Sequence, residues 1–364
     1  MKIIGYKLGK LRVPLVTPFK TALRNVDHVE DIVIMIETDT GHVGYGAAPA
    51  TAVITGDTHG SIIDAIRNYI MPMVTGMEVS QLNQINEIIG EALINNFSAK
   101  AAVEIAVYDL FAQAHGVPLY KMLGGGQPRI ASDITISVDY IDKMVADSIR
   151  AADAGYETLK IKVGKDLGVD IKRVKAIYAA VKDRCLLRLD ANQGWTARET
   201  VAALHELESS GIELELIEQP VKGADLKGMK YITERVRTPV MADESTFGPR
   251  EVIELIQMGA ADIINIKLMK TGGLSDAIKI ADIAKIYDVK CMIGCMLESS
   301  ISVTAAAHLA VAKSSVITKV DLDGPALCQF NPVTGGATFR GPDIELNETP
   351  GLGIEAIENL IPLD

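Results

Sequence analysis

From Asp133 to Asp321 the hydrophobic positions follow two alternating rhythms. Short apolar runs occur at 133–138, 157–163, 185–190, 214–218, 239–243, 262–267, 290–294 and 316–321, and those closing at 190, 218, 243, 267 and 321 end in charge. Between them lie helix-length stretches, such as 176–181 and 277–286, with apolar residues at helical spacing. Strands about 25 residues apart with helices between them predict a parallel sheet joined by crossovers. Closure into a barrel is the economical arrangement, because no Gly-x-Gly-x-x-Gly follows the first strand to favour an open doubly wound sheet.

The flanking regions read differently. Residues 10–14 and 31–38 are rich in β-formers, and a Thr40-Gly41 turn precedes Val43-Gly44-Tyr45-Gly46. Two long loops, from Phe19 to Arg24 and from Ala48 to Gly60, have the length of functional loops. Ile62, Ile63, Ile66 and Ile70 share one face of a helix, and Ser98 is the predicted N-cap of an alanine-rich helix that stops before Gly116-Val117-Pro118. Leu123-Gly124-Gly125-Gly126 predicts a domain boundary near 125, and the turn-rich stretch after 325 is predicted to pack back on the first domain. The organisation predicted is an α+β capping domain over 1–125, completed by 325–364, around a barrel domain over 126–324.

Composition narrows the function. Of 364 residues, 48% are hydrophobic and 23% charged, which is ordinary for a soluble globular chain. A net charge of −11 argues against nucleic acid or an anionic membrane as partner. Cys185, Cys291, Cys295 and Cys328 show no Cys-x-x-Cys spacing, so free thiols in a reducing compartment are expected. The histidines form no zinc-binding group. No leader or membrane-length apolar stretch is visible, and a cytoplasmic protein is the expectation.

The polar residues at the strand ends carry the chemistry. Asp190, Glu218 and Asp243 close three consecutive apolar runs, with separations of 28 and 25 residues, one βα unit each. In a parallel barrel such positions converge on the mouth at the carboxyl ends of the strands. Three carboxylates together repel unless a cation neutralises them, and an all-oxygen set suits Mg²⁺. Lone acids at these positions would be helix caps or lysine partners; three in consecutive units favour a metal site. Period-two alternation puts Lys160 with Lys162 on one face, and Asn265 with Lys267 on another. Inward lysines either neutralise acids or move protons, and lysines on both sides of the acid cluster favour proton transfer.

Lys160-Ile161-Lys162, Asp190-Ala191-Asn192, Glu218-Gln219-Pro220, Asp243-Glu244-Ser245 and Lys267-Leu268-Met269-Lys270-Thr271-Gly272-Gly273, in this order, resemble the muconate lactonizing branch of the enolase superfamily over nearly the whole chain. The resemblance implies a (β/α)7β TIM-like barrel with a capping domain, and abstraction of a proton α to a carboxylate with Mg²⁺ stabilising the enediolate. Carried over, Asp190, Glu218 and Asp243 are the metal ligands. Lys162 and Lys267 are then bases on opposite faces of the α-carbon, with Lys160 tuning Lys162. Asp321-Leu322-Asp323 resembles the Asp-x-Asp element of dipeptide epimerases, where paired acids take a substrate ammonium. Arg24, in a segment resembling the capping loops of L-Ala-D/L-Glu epimerases, would grip a second carboxylate. Cys295 and Glu298, in Gly294-Cys295-Met296-Leu297-Glu298-Ser299, belong to a segment that resembles the lining of the substrate site. One position departs: members of the resembled family usually carry glutamate after Gly-Tyr-Gly, and here Ala47 follows Gly44-Tyr45-Gly46, which puts a polar contact between cap and barrel in question.

The expected activity is that of an Mg²⁺-dependent dipeptide epimerase acting on L-Ala-D/L-Glu, with a dipeptide as partner and, by resemblance, assembly into a homo-oligomer. The alternatives are an epimerase for other dipeptides, an N-acylamino acid racemase, a cycloisomerase, or a catalytically silent dipeptide-binding protein.

Overall fold

Three cap strands, β1 (Ile3–Lys20), β2 (Asn25–Thr38) and β3 (Val43–Pro49), form an antiparallel sheet, with β2 the richest in β-branched residues. The computed structural model describes residues 1–21 and 25–363. The sheet rests on the helix Phe97–Ala114, and the close approach requires glycine. A Cβ on Gly46 would stand 1.9 Å from the Ala102 carbonyl oxygen, and one on Gly44 2.3 Å from that of Ala106. Ser98 is not the cap of this helix. Asn96 holds the N-cap position in the left-handed region, and the Ser98 N–H donates to Asp57 Oδ2 at 3.0 Å. The capping carboxylate comes from a preceding loop, a partner that local spacing does not reveal.

After the short β4 (Arg129–Ala131), eight parallel strands follow: β5 (Ile134–Ile136), β6 (Thr158–Lys162), β7 (Leu186–Asp190), β8 (Leu216–Glu218), β9 (Val240–Ala242), β10 (Ile263–Ile266), β11 (Lys290–Gly294) and β12 (Ile317–Asp321). They lie side by side in chain order, and a helix follows each of the first seven. The Asp133 N–H donates to the Val320 carbonyl at 3.3 Å and the Leu322 N–H to Ser132 Oγ at 2.8 Å, which brings β12 back to the start of β5. The barrel is therefore nearly closed, as the alternating pattern predicts. Leu216, Met241, Ile263 and Met292 fill its interior as one buried cluster. Beside Met292, Arg188 pairs with Asp133 at 2.6 Å and Glu215 at 2.5 Å.

The tail returns to the cap. β13 (Val333–Gly335) pairs with β16 (Ile354–Ile357), while β14 (Thr338–Arg340) and β15 (Asp343–Glu345) extend β4. β17 (Ile361–Leu363) pairs with β1, placing Ile361 opposite Lys10. Among the described residues no helix is long and apolar enough to cross a membrane.

Candidate active site

Parallel register sets the reactive side chains at one level. Lys162 lies opposite Asp190, and Asp190 opposite Glu218, on neighbouring strands. Asp243 and Lys267 follow the ends of β9 and β10. β6 and β10 are four strands apart in a nearly closed ring of eight, so Lys162 and Lys267 face each other across the mouth, and both line the same pocket. Lys162 Nζ donates to Asp190 Oδ2 at 2.5 Å, and Lys267 Nζ to Asp243 Oδ2 at 2.8 Å. Lys160 lies between three acids: Glu218 at 2.7 Å, Asp321 at 2.7 Å and Asp190 at 3.2 Å. Lys270 stands 2.6 Å from Asp243 Oδ1, and Asn265 Nδ2 donates to Glu218 Oε1 at 2.8 Å.

Burial and charge pull these groups in opposite directions. Burial opposes ionisation of Asp190 and Asp243, but Lys162 and Lys160 outweigh it at the first, and Lys267 and Lys270 at the second. Both carboxyls are held below the ordinary carboxylate range. Glu218 goes the other way, raised to about 7 by burial and by the Asp190 charge. Burial favours neutral lysine, yet the surrounding acids hold Lys160 and Lys267 above their ordinary range. Lys270 is lowered, by burial and by Lys267.

The ammonium groups lie between the carboxylates, and among the described residues no three acids surround a common point closely enough to hold an ion. The chemistry of the set nonetheless fits a hard divalent cation. Six carboxylates (Asp190, Glu218, Asp243, Glu244, Asp321, Asp323) share the site with four lysines (Lys160, Lys162, Lys267, Lys270), so with every group ionised the set carries an excess of two negative charges. Glu244 is buried with neither carboxylate oxygen hydrogen-bonded, and burial together with Asp243 raises it to about 8. Asn192 Oδ1 is likewise buried without a hydrogen-bond partner. Unsatisfied oxygens in an over-acidic cluster are what Mg²⁺ binding would relieve.

The remaining sequence-predicted residues divide. Asp321, Asp323 and Cys295 line the mouth pocket with the lysines. Asp323 Oδ2 accepts the Thr135 N–H at 2.8 Å, and burial with the Asp321 charge raises it to about 6. Glu298, predicted to line the substrate site, does not. It is buried, accepting from the Met296 N–H at 2.7 Å and from Ser302 Oγ, so it fastens the segment whose Cys295, Met296 and Leu297 line the pocket. The turn into the helix Ser300–Ala312 brings those donors round the carboxylate. Arg24 lies outside the described residues. The cap supplies Phe19, Thr21, Val53 and Ile54 to the pocket, and Lys162 Nζ stands 5.8 Å from the Phe19 ring centre. Lys270 and Glu244 were not singled out by the sequence reading. Lys270 follows Lys267 by three residues, one helical turn, which is a usable signal; Glu244 follows Asp243 directly and carries none.

The chain matches two family models: "Mandelate racemase / muconate lactonizing enzyme, N-terminal domain" over residues 4–124 and "Enolase C-terminal domain-like" over residues 143–360. It is 51% identical to the L-Ala-D/L-Glu epimerase of Clostridium acetobutylicum, covering 97% of this chain and 98% of that one. The substrate-liganded L-Ala-D/L-Glu epimerase from Bacillus subtilis superposes with a TM-score of 0.96 at 45% identity, covering 98% of this chain and 99% of that one. The dipeptide epimerase from Enterococcus faecalis, complexed with Mg and L-Leu-L-Tyr, superposes with a TM-score of 0.94 at 40% identity, covering 98% and 100%.

Proposed function

Because this chain belongs to the mandelate racemase / muconate lactonizing enzyme family, we propose that it is an Mg²⁺-dependent dipeptide epimerase acting on L-Ala-D/L-Glu, inverting the α-carbon of the C-terminal residue. The observation that carries the reading is the pair of lysines facing each other across the mouth beside three strand-end carboxylates. The choice of dipeptide is supported by the relatives at 51% and 45% identity, both L-Ala-D/L-Glu epimerases.

In this reading Asp190, Glu218 and Asp243 hold Mg²⁺, which supplies positive charge to offset the negative charge that grows on the substrate carboxylate as the α-proton leaves. One of Lys162 and Lys267, neutral when it acts, takes that proton from one face; the other, as an ammonium, returns one from the opposite face. Lys160 keeps its proton among Asp190, Glu218 and Asp321 and so fixes the charge beneath Lys162. Asp321 and Asp323 receive the dipeptide ammonium, and Arg24 the glutamate side chain. Residues 1–125 with 325–364 cover the mouth, and Phe19 shields Lys162 from water.

Incubation of the protein with L-Ala-L-Glu and Mg²⁺ in D₂O tests this. Deuterium at the glutamate α-carbon, with L-Ala-D-Glu accumulating, is the expected result. Absence of both disproves the assignment.

A further inference from the structure

The cap sheet shows how this chain manages without a glutamate at position 47. In β2 and β3, Asp31 pairs with Pro49 and Val33 with Ala47, so Asp31, Val33 and Ala47 share one face. Gly44 and Gly46 occupy the other face, against the helix Phe97–Ala114. The Ala47 face is therefore directed to the barrel side, where β3 packs on the helix Ser300–Ala312. Ala47 is wholly buried and brings no polar atom there. Its diagonal neighbour does. Asp31, also wholly buried, accepts the Ser299 N–H on Oδ2 at 2.8 Å, and its Oδ1 has no hydrogen-bond partner. Diagonal cross-strand positions lie within reach of one another's long side chains. A glutamate at 47 and an aspartate at 31 can thus deliver a carboxylate to the same place.

We propose that Asp31 is the positioning residue that ties the cap to the 295–299 segment, supplying from the neighbouring strand a carboxylate that Ala47 does not. Ser299 directly follows Glu298, which holds Met296, and Cys295, Met296 and Leu297 line the pocket. The tie therefore fixes one wall of the substrate site from the cap. Burial at the interface lifts the Asp31 carboxyl to about 6, as an aspartate with one hydrogen-bonded oxygen in an apolar contact should show. The kinetic consequence rests on the epimerase reading; the contact itself does not.

The test is a charge relocation read by α-proton exchange in D₂O. Asp31→Ala should raise KM for L-Ala-L-Glu by about tenfold or more, the scale of a lost charge-assisted hydrogen bond, with kcat changed less. Ala47→Glu alone should also impair exchange, because it buries a second carboxylate beside the first. In the Asp31→Ala background the same Ala47→Glu change should restore KM, and Asp31→Asn, which keeps an acceptor oxygen, should fall between. An Asp31→Ala variant with wild-type KM, or one that Ala47→Glu does not improve, overturns the proposal. If Asp31→Ala yields no soluble protein, recovery of soluble protein in the double variant supports it and continued failure overturns it. Should the wild type show no exchange at all, the epimerase reading fails by itself. Amide hydrogen exchange over 295–302 then gives the same comparison without substrate, with faster exchange in Asp31→Ala reversed by Ala47→Glu as the expected result and no change as the overturning one.

Discussion

His308 makes the barrel's hold on the cap sensitive to acid. It lies buried on the helix Ser300–Ala312, and its Nδ1 accepts the Tyr120 backbone N–H at 2.9 Å. A backbone N–H can only donate, so Nδ1 must be unprotonated and the ring neutral. Burial lowers the imidazole from 6.5 to about 3, against a smaller opposing effect of a hydrogen bond with the Leu352 backbone. Because the folded value lies below the unfolded one, the unfolded chain binds the extra proton between these pH values. Stability from this group is complete above 6.5 and is lost as pH falls towards about 3. At about 1.36 kcal/mol per pH unit the full loss is roughly 5 kcal/mol, and between pH 7 and pH 5 it is about 2 kcal/mol. His308→Gln keeps an acceptor for Tyr120 but cannot titrate. Urea unfolding at pH 7 and pH 5 should therefore show the wild type losing about 2 kcal/mol more than His308→Gln on acidification. The comparison cancels carboxyls common to both proteins, such as Asp109 and Glu104, which burial raises to about 6 and about 7. Parallel losses in the two proteins would refute the reasoning.

Other expectations follow from single contacts. Lys162→Ala and Lys267→Ala should each abolish α-proton exchange for one of L-Ala-L-Glu and L-Ala-D-Glu by ~10²–10⁴-fold while sparing the other, as NMR in D₂O would show; equal loss for both substrates in each variant would contradict a base on each face. Gly46→Ala sets a methyl 1.9 Å from the Ala102 carbonyl oxygen and should lower stability by about 1–3 kcal/mol in urea titrations, whereas an unchanged midpoint would show that the sheet and helix can separate without cost. Arg188→Met leaves Asp133 and Glu215 without their shared partner inside the barrel. A loss of about 3–5 kcal/mol is expected, and wild-type thermal stability would contradict it.

Side-chain direction along a strand explains how much could be read without coordinates. A period of two fixes which residues share a face, and the carboxyl end of a parallel strand fixes where that face opens. Lys160, Lys162, Asp190, Glu218 and Asp243 were therefore legible as neighbours although they span 84 positions of the chain, and eight parallel strands with helices between them followed from the spacing of the apolar runs. The eight strands fall within the predicted runs for the same reason. Glu298 is held by donors of its own turn, Met296 and Ser302, and does not line the pocket. Two further features depend on which surfaces meet. The helix Phe97–Ala114 is capped by Asp57, 41 residues from Ser98, and Asp31 reaches Ser299 across 268 residues. The Asp57 pairing follows from packing within the cap, and the Asp31 pairing from the packing of cap on barrel. Local periodicity tells a residue which way to point, but only the assembled fold determines what waits there.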